Sequence, residues 1–186
     1  MDKRAFIKYS LGSTLALAVS GGAITWVSIK RSDAPLTTAS IIEVIDNLML
    51  DASLQSLVTN GQWSAYKVFV HCRQSVNYSI SGYPLHKSDF FKKTVGKMVF
   101  SAFAAKRKMQ HNLAEEIPDA DAIAKTGDVL KALIQLKQSL VNFQQFNGEL
   151  KAHFAYGPLN KQEYELAHAM HFVNHMQEFL VSPNVK

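Results

Sequence analysis

Seven histidines are spread over the 186 residues, and three of them have a spacing that suits a metal ion. His171 and His175 stand four residues apart in a long apolar-periodic stretch near the C-terminus. His71 lies a hundred residues earlier on another predicted helix. An i, i+4 pair places two imidazoles on one helical face roughly 6 Å apart, so both ring nitrogens can reach one ion at about 2.0 to 2.1 Å. His168 extends the same face. It lies about 10.5 Å along the axis from His175, so a single ion takes either His168 with His171 or His171 with His175, the second being the commoner geometry. Three neutral imidazoles and no carboxylate leave a divalent ion its full charge and open positions, the arrangement that lowers the pKa of a bound water toward about 7 in zinc enzymes. Imidazole suits zinc, nickel, iron and copper alike, so the spacing does not choose the metal.

A packed imidazole costs roughly 1–3 kcal/mol for each nitrogen left without a partner, so several on one inward face favour a shared cation. Of other metal chemistries, a di-iron site is rejected and a bis-histidine haem bundle is a distant third. Glu165 and His168 form a single E-x-x-H, whereas di-iron bundles use two copies. No C-x-x-C-H for haem attachment is present, and the lone Cys72 rules out an intramolecular disulfide.

These residues must be positioned by helices. Ser40-Ile41-Ile42-Glu43 reads as a capping box ahead of Val44, Ile45, Leu48 and Met49 at helical spacing. Asn60-Gly61 makes a turn, and Ser64 caps a helix that runs to about Ile80, with His71 at its middle and Gly82 and Pro84 as its stop. Ser88 opens a third segment, rich in Phe90, Phe91, Val95, Val99, Phe100 and Phe103, that ends in Lys106-Arg107-Lys108. Residues 115–127, with Pro118 and four acidic side chains, read as a loop. A fourth helix runs from Asp128 to about Phe146, closed by Asn147-Gly148, and a last one from the cap Asn160, with Glu163 three residues on, to about Val181. No strand-like alternation competes, so the fold class is all-α.

The net charge of +5 comes from 20 basic and 15 acidic residues. Five of those basic residues and one acidic residue fall within positions 1–31, leaving 15 against 14 in the remainder. A nucleic-acid role is therefore excluded, because the folded part carries no basic excess. Residues 1–31 have export-signal layout: a charged start followed by a weakly apolar run, residues 9–29, long enough to span a bilayer. Arg4-Ala5-Phe6-Ile7-Lys8 resembles a twin-arginine leader in which Lys3 stands for the first arginine. Ala18-Val19-Ser20 offers a cleavage site. The domains expected are an export signal or membrane anchor over 1–31, a linker over 32–39, and a helical domain over 40–182. The location expected is the periplasm, or the inner membrane facing it.

The segment His153-Phe154-Ala155-Tyr156-Gly157-Pro158-Leu159-Asn160, followed by His171-Phe172-Val173-Asn174-His175, resembles the end of the DinB/YfiT-like superfamily. Val68-Phe69-Val70-His71 after Trp63 resembles its earlier ligand-bearing helix. With the leader, the layout is similar to an exported bacterial branch known only as a domain of unknown function. The resemblance covers most of the chain after the leader. It implies a four-helix bundle with a long crossover, where Ser88 to Met109 would be an extra helical segment, and a divalent metal held by His71, His171 and His175. Related sequences often carry a histidine where this chain has Asn174. The resemblance also implies thiol-transfer or isomerase activities in some relatives, which use a small intracellular thiol that an exported protein would seldom meet.

Around the triad, Gln74, Ser75, Tyr78 and Glu178 are placed to hold a ligand's second nitrogen. Cys72 is expected as a small buried residue and Trp63 as a packing anchor, with His86, His111 and His153 in loops without a ligand role. Two functions follow. The first is a metal-dependent hydrolase or transferase of the cell envelope acting on an unidentified small molecule. The second is a non-catalytic helical envelope protein that binds metal, a membrane or a partner, with Phe90, Phe91 and Phe103 facing outward; a homodimer is compatible with either. If the leader reading holds, residues 1–31 fused to a reporter scored only outside the cytoplasm will export it, and Arg4→Lys will reduce that signal. A reporter retained in the cytoplasm would contradict it.

Overall fold

A computed structural model describes residues 35–50, 54 and 57–179. The expected leader, its cleavage site and the span over residues 9–29 lie outside these. Among the described residues the chain is all-α, with no strand and two isolated β-bridges, Thr59 with Phe179 and His153 with Gly157. No described helix is long and apolar enough to cross a membrane.

Helix α1 spans Thr38–Met49. Its N-cap is Thr37 and not Ser40: the Thr37 hydroxyl accepts from Ser40 N at 3.2 Å, and Ser40 Oγ accepts from Thr37 N at 3.2 Å. Ser40 thus fills the reciprocating position of the box, and the helix starts inside the segment expected as a linker. The free end of α1 is also held from outside. Glu165 accepts from Thr38 N at 3.2 Å and from Thr38 Oγ1 at 2.9 Å, and Gln144 Nε2 donates to the same hydroxyl at 2.9 Å. A carboxylate on an orphan N–H at a helix start is favoured by the dipole as well as by the bond itself. Glu165, the acid of the single E-x-x-H, is used here as a cap.

Helix α2, Ala65–Ser81, begins at the cap Ser64 and stops at Gly82, whose φ of 102° is open to glycine at little cost. A helical run follows. One α-helical turn, Asp89–Phe91 (α3), leads into five π-helical residues, Lys92–Gly96, and then α4, Lys97–Lys106. The widening coincides with close contact: a Cβ on Gly96 would meet the Ala155 carbonyl at 1.9 Å. Helix α5 spans Val129–Gln145 from the cap Asp128. Helix α6 spans Lys161–Met176, capped by Asn160 with Glu163 in a reciprocal box, and ends earlier than its apolar pattern suggests. Both α1 and α2 pack on α5 and on α6. The shared core is built by Ile41, Ile45 and Leu48 of α1, Val68, Phe69 and Val76 of α2, Leu133, Leu136, Leu140 and Phe143 of α5, and Met170 and Phe172 of α6. Each such buried side chain contributes roughly 1.5–3 kcal/mol against leaving it in water.

Two histidines belong to this architecture. His168 on α6 lies edge-on to Phe143, ring centroids 5.0 Å apart, with Nε2 3.3 Å from Ser79 Oγ on α2. His153 sits in the loop before α6, stacked on Tyr156 at 4.2 Å. Its Nδ1 accepts from Ala155 N at 3.1 Å and Tyr156 N at 3.2 Å, so its proton is on Nε2. Burial lowers both pKa values from the ordinary 6.5 to about 3. The unfolded chain therefore binds two protons below about 6.5 that the folded chain refuses until about pH 3, so their contribution to stability is full above 6.5 and is lost as pH falls through that window. Metal-free protein is expected to unfold at lower denaturant at pH 5.0 than at pH 7.5, with a smaller difference in His168→Gln. An equal midpoint at both pH values would contradict this burial.

Candidate metal centre

The register of α2 and α6 brings His71, His171 and His175 together. Their ligand nitrogens all lie within 4.8 Å of one another. His171 Nε2 is 3.1 Å from His71 Nε2 and 3.1 Å from His175 Nε2, and the three ring centroids lie 4.8 to 5.1 Å apart. A tetrahedral ion with bonds of about 2.05 Å spaces its nitrogen ligands about 3.3 Å apart, so the cluster is close to ligand spacing without rearrangement. His168, turned to Ser79, leaves His171 with His175 as the helical pair.

Without a cation the cluster is poorly satisfied. One ring nitrogen carries either one proton or one lone pair in the ring plane, so His171 Nε2 can form a good hydrogen bond with only one of its two neighbours. His71 Nδ1 and His175 Nδ1 are buried with no hydrogen-bond partner among the described residues. The pKa values follow. Burial first, then the His111 and Lys67 charges, lowers His71 to about 3, and burial with the neighbouring imidazoles lowers His175 to about 2. His171 is held well below its ordinary value by burial and by the imidazoles of His175, His71 and His111. Neutral imidazoles are the form that binds metal. The donor set therefore fits a divalent ion in spacing, in protonation and in its want of other partners.

Trp63 walls the cluster on one side, edge-on to His71 at 5.0 Å and stacked with His175 at 6.0 Å. It is the anchor expected, but its contact with His71 and His175 was not readable from its position before the α2 cap. The other side is open. A cavity of about 200 Å³ is lined by His71 and His171 with His111, His153 and His168, and its wall includes Lys87, Glu115 and Glu116, all exposed, so it meets solvent. The connection between α4 and α5 forms part of that wall. It is strapped to α2 by three bonds: Lys67 Nζ to Glu116 at 2.5 Å, Gln74 Nε2 to Asp121 O at 2.8 Å, and Ser64 Oγ to Lys125 O at 2.5 Å. The loop carrying His153 forms another part. It is closed by paired bonds between His153 and Gly157, whose φ of 82° suits glycine, and Lys87 N donates to Phe154 O at 2.9 Å.

Of the residues expected to support the ligands, Gln74 is spent on the connection, Ser75 lines the cavity, and Tyr78 packs on Tyr83 at 5.6 Å. Glu178 folds beneath Gly61, where a Cβ would meet Oε1 at 2.0 Å, and its Oε2 is buried without a partner among the described residues. Burial raises its pKa. None of the four is seen holding an imidazole nitrogen. Cys72 is buried as expected, which pushes its thiol pKa up and makes it inert. His86 is exposed and is not among the converging histidines. His111 is in a loop, as expected, but its ring abuts two of the three clustered histidines, at 5.2 Å from His171 and 5.4 Å from His175.

Residues 36–182 match a family model described as a protein of unknown function, DUF1569. The chain belongs to that family. No curated protein and no solved structure matches it. The matched span begins just before the α1 cap and contains all three histidines, so the helical core and the cluster both lie within the family's domain. If the cluster takes an ion, chelator-treated protein will show a Tm that rises with added Zn²⁺ once the concentration exceeds Kd, by about 2.7 kcal/mol of stability at a hundredfold excess over Kd. The rise should vanish in His175→Ala. A Tm that responds equally in both proteins would contradict a site at these residues.

Proposed function

We propose that this DUF1569 protein is a DinB-like metal-binding protein of the cell envelope. In this reading it acts as a metal-dependent hydrolase or transferase through His71, His171 and His175. The observation that carries the reading is the convergence of three neutral imidazoles, His71 and His175 buried and His171 half-buried, beside a solvent-reaching cavity. The DinB-like bundle is supported by the mutual packing of α1, α2, α5 and α6, with the Asp89–Lys106 helical run inserted between the second and third of these four. An envelope location rests on the leader pattern alone.

When bound, a divalent ion held by three neutral imidazoles acts as a Lewis acid and lowers the pKa of water. The chain's residues would supply the remainder. Trp63 and the apolar core exclude water from the far side of the triad, and the cavity admits a small molecule on the near side. His153 is fixed as a neutral Nε2–H donor by its two backbone bonds. The free cavity of about 200 Å³ is smaller than most small-molecule pockets and suits only a compact substrate.

One observation favours the non-catalytic reading. Phe90 and Met98 are 77% and 67% exposed on the helical run, beside exposed Val95. Phe91 and Phe103 are only half-buried and Phe100 is buried, so the outward face is narrower than the Phe-rich pattern implies. Metal analysis of purified full chain is expected to find about one ion per chain, and little in His171→Ala. Equal, sub-stoichiometric metal in both would end the metal reading. Loaded protein should turn over at least one compact ester, amide or transferable-group substrate, with turnover lost in His171→Ala. A fully loaded protein inert across such a panel would favour the non-catalytic alternative.

A further inference from the structure

The connection between α4 and α5 delivers a fourth imidazole to the cavity side of the cluster. His111 Nδ1 lies 2.9 Å from the carbonyl oxygen of Asn112. A carbonyl can only accept, so the proton of the neutral ring is on Nδ1, and Nε2 is left with a lone pair. That Nε2 is buried and has no hydrogen-bond partner among the described residues. The ring shares the cavity wall with His71 and His171, yet it stands outside the group of three whose nitrogens converge. It is thus an acceptor beside the ligands rather than one of them. A buried acceptor with nothing to accept from is costly, and that cost falls on any occupant that cannot donate.

We propose that His111 Nε2 selects what binds at the cavity side of the metal centre, favouring ligands that keep a hydrogen on the atom facing it and disfavouring bare anions and thiolates. The class admitted is water, alcohols, amines, amide nitrogens and sulfonamides. This rests on the metal reading above. It also separates the chain from chemistry on a thiolate, which has no hydrogen to offer. His111 is a positioning residue in this account: it orients the incoming group through one hydrogen bond and holds no part of the ion.

The test uses full-length protein loaded with Co²⁺ at pH 8, above the ordinary imidazole range, and reads the visible absorption band during titration. The probes are methanesulfonamide, which keeps an N–H when bound through nitrogen, and thiocyanate, which has no hydrogen. The wild type is expected to prefer the sulfonamide, and His111→Ala to lose about tenfold of that preference, the worth of one good hydrogen bond. His111→Gln, whose amide oxygen can accept, should recover part of it. His111→Phe serves if the alanine variant does not fold. No preference in the wild type, including no sulfonamide binding, or an unchanged preference in both His111→Ala and His111→Phe, would overturn the proposal. Failure of the wild type to take up Co²⁺, or equal uptake by His171→Ala, would instead remove the metal reading beneath it.

Discussion

A buried imidazole has two nitrogens, and each one left without a partner costs roughly 1–3 kcal/mol. That constraint shapes this molecule more than any other. Five of its seven histidines line one cavity, and each is accounted for differently. His153 is satisfied by two backbone N–H groups, His168 faces a hydroxyl, and His111 uses a neighbouring carbonyl on one side only. His71 and His171, with His175 behind them, have chiefly one another. Three acceptor-capable nitrogens, those of His71 and His175 each 3.1 Å from that of His171, form a poor hydrogen-bond network and a good ligand set, because a cation satisfies every lone pair at once. Among the described residues nothing partners the Nδ1 atoms of His71 and His175, and the rings of both rest against Trp63.

The helices serve that cluster by register. Apolar positions on α2 turn Val68, Phe69 and Val76 into the core and leave His71 on the flank that meets α6. On α6 the i, i+4 step carries two imidazoles to the same flank. The start of α1 is tied to both α5 and α6 by the network of Thr38, Gln144 and Glu165, which locks three helices together at one end. Two loops then complete the cavity. One is strapped across α2 by Glu116, Asp121 and Lys125; the other is closed on itself at Gly157 and meets Gly96 in the π-helical stretch. Extra residues in a helical turn often accompany functional sites, and here the widened turn sits against the loop that carries His153.

Much of this was legible in the sequence. Ser64, Asp128 and Asn160 are caps because short polar side chains before apolar periodicity have one obvious task, and Gly82 ends α2 because its backbone needs a positive φ. The pair His171 and His175 follows from spacing alone. The choice against His168 did not, since it depends on Ser79 being opposite. The start of α1 was read at Ser40, and only the reciprocal bonds with Ser40 identify Thr37, three residues earlier, as the cap. Residues 115–127 were readable as a loop, but the connection from α4 to α5 was not readable as a wall of the cavity. Three long-range bonds put it there, and with it His111. Glu165 as a remote cap and the π-helical stretch likewise depend on partners far along the chain.

The central claim is that one ion is gripped by three imidazoles from two helices. X-ray absorption at the metal edge of the zinc-loaded full chain tests it most directly, because imidazole rings give outer-shell scattering that single-atom ligands do not. The account predicts three imidazole nitrogens at about 2.0 Å, falling to two in His71→Ala. A first shell of oxygen ligands without imidazole scattering, or a spectrum unchanged by that substitution, would contradict it.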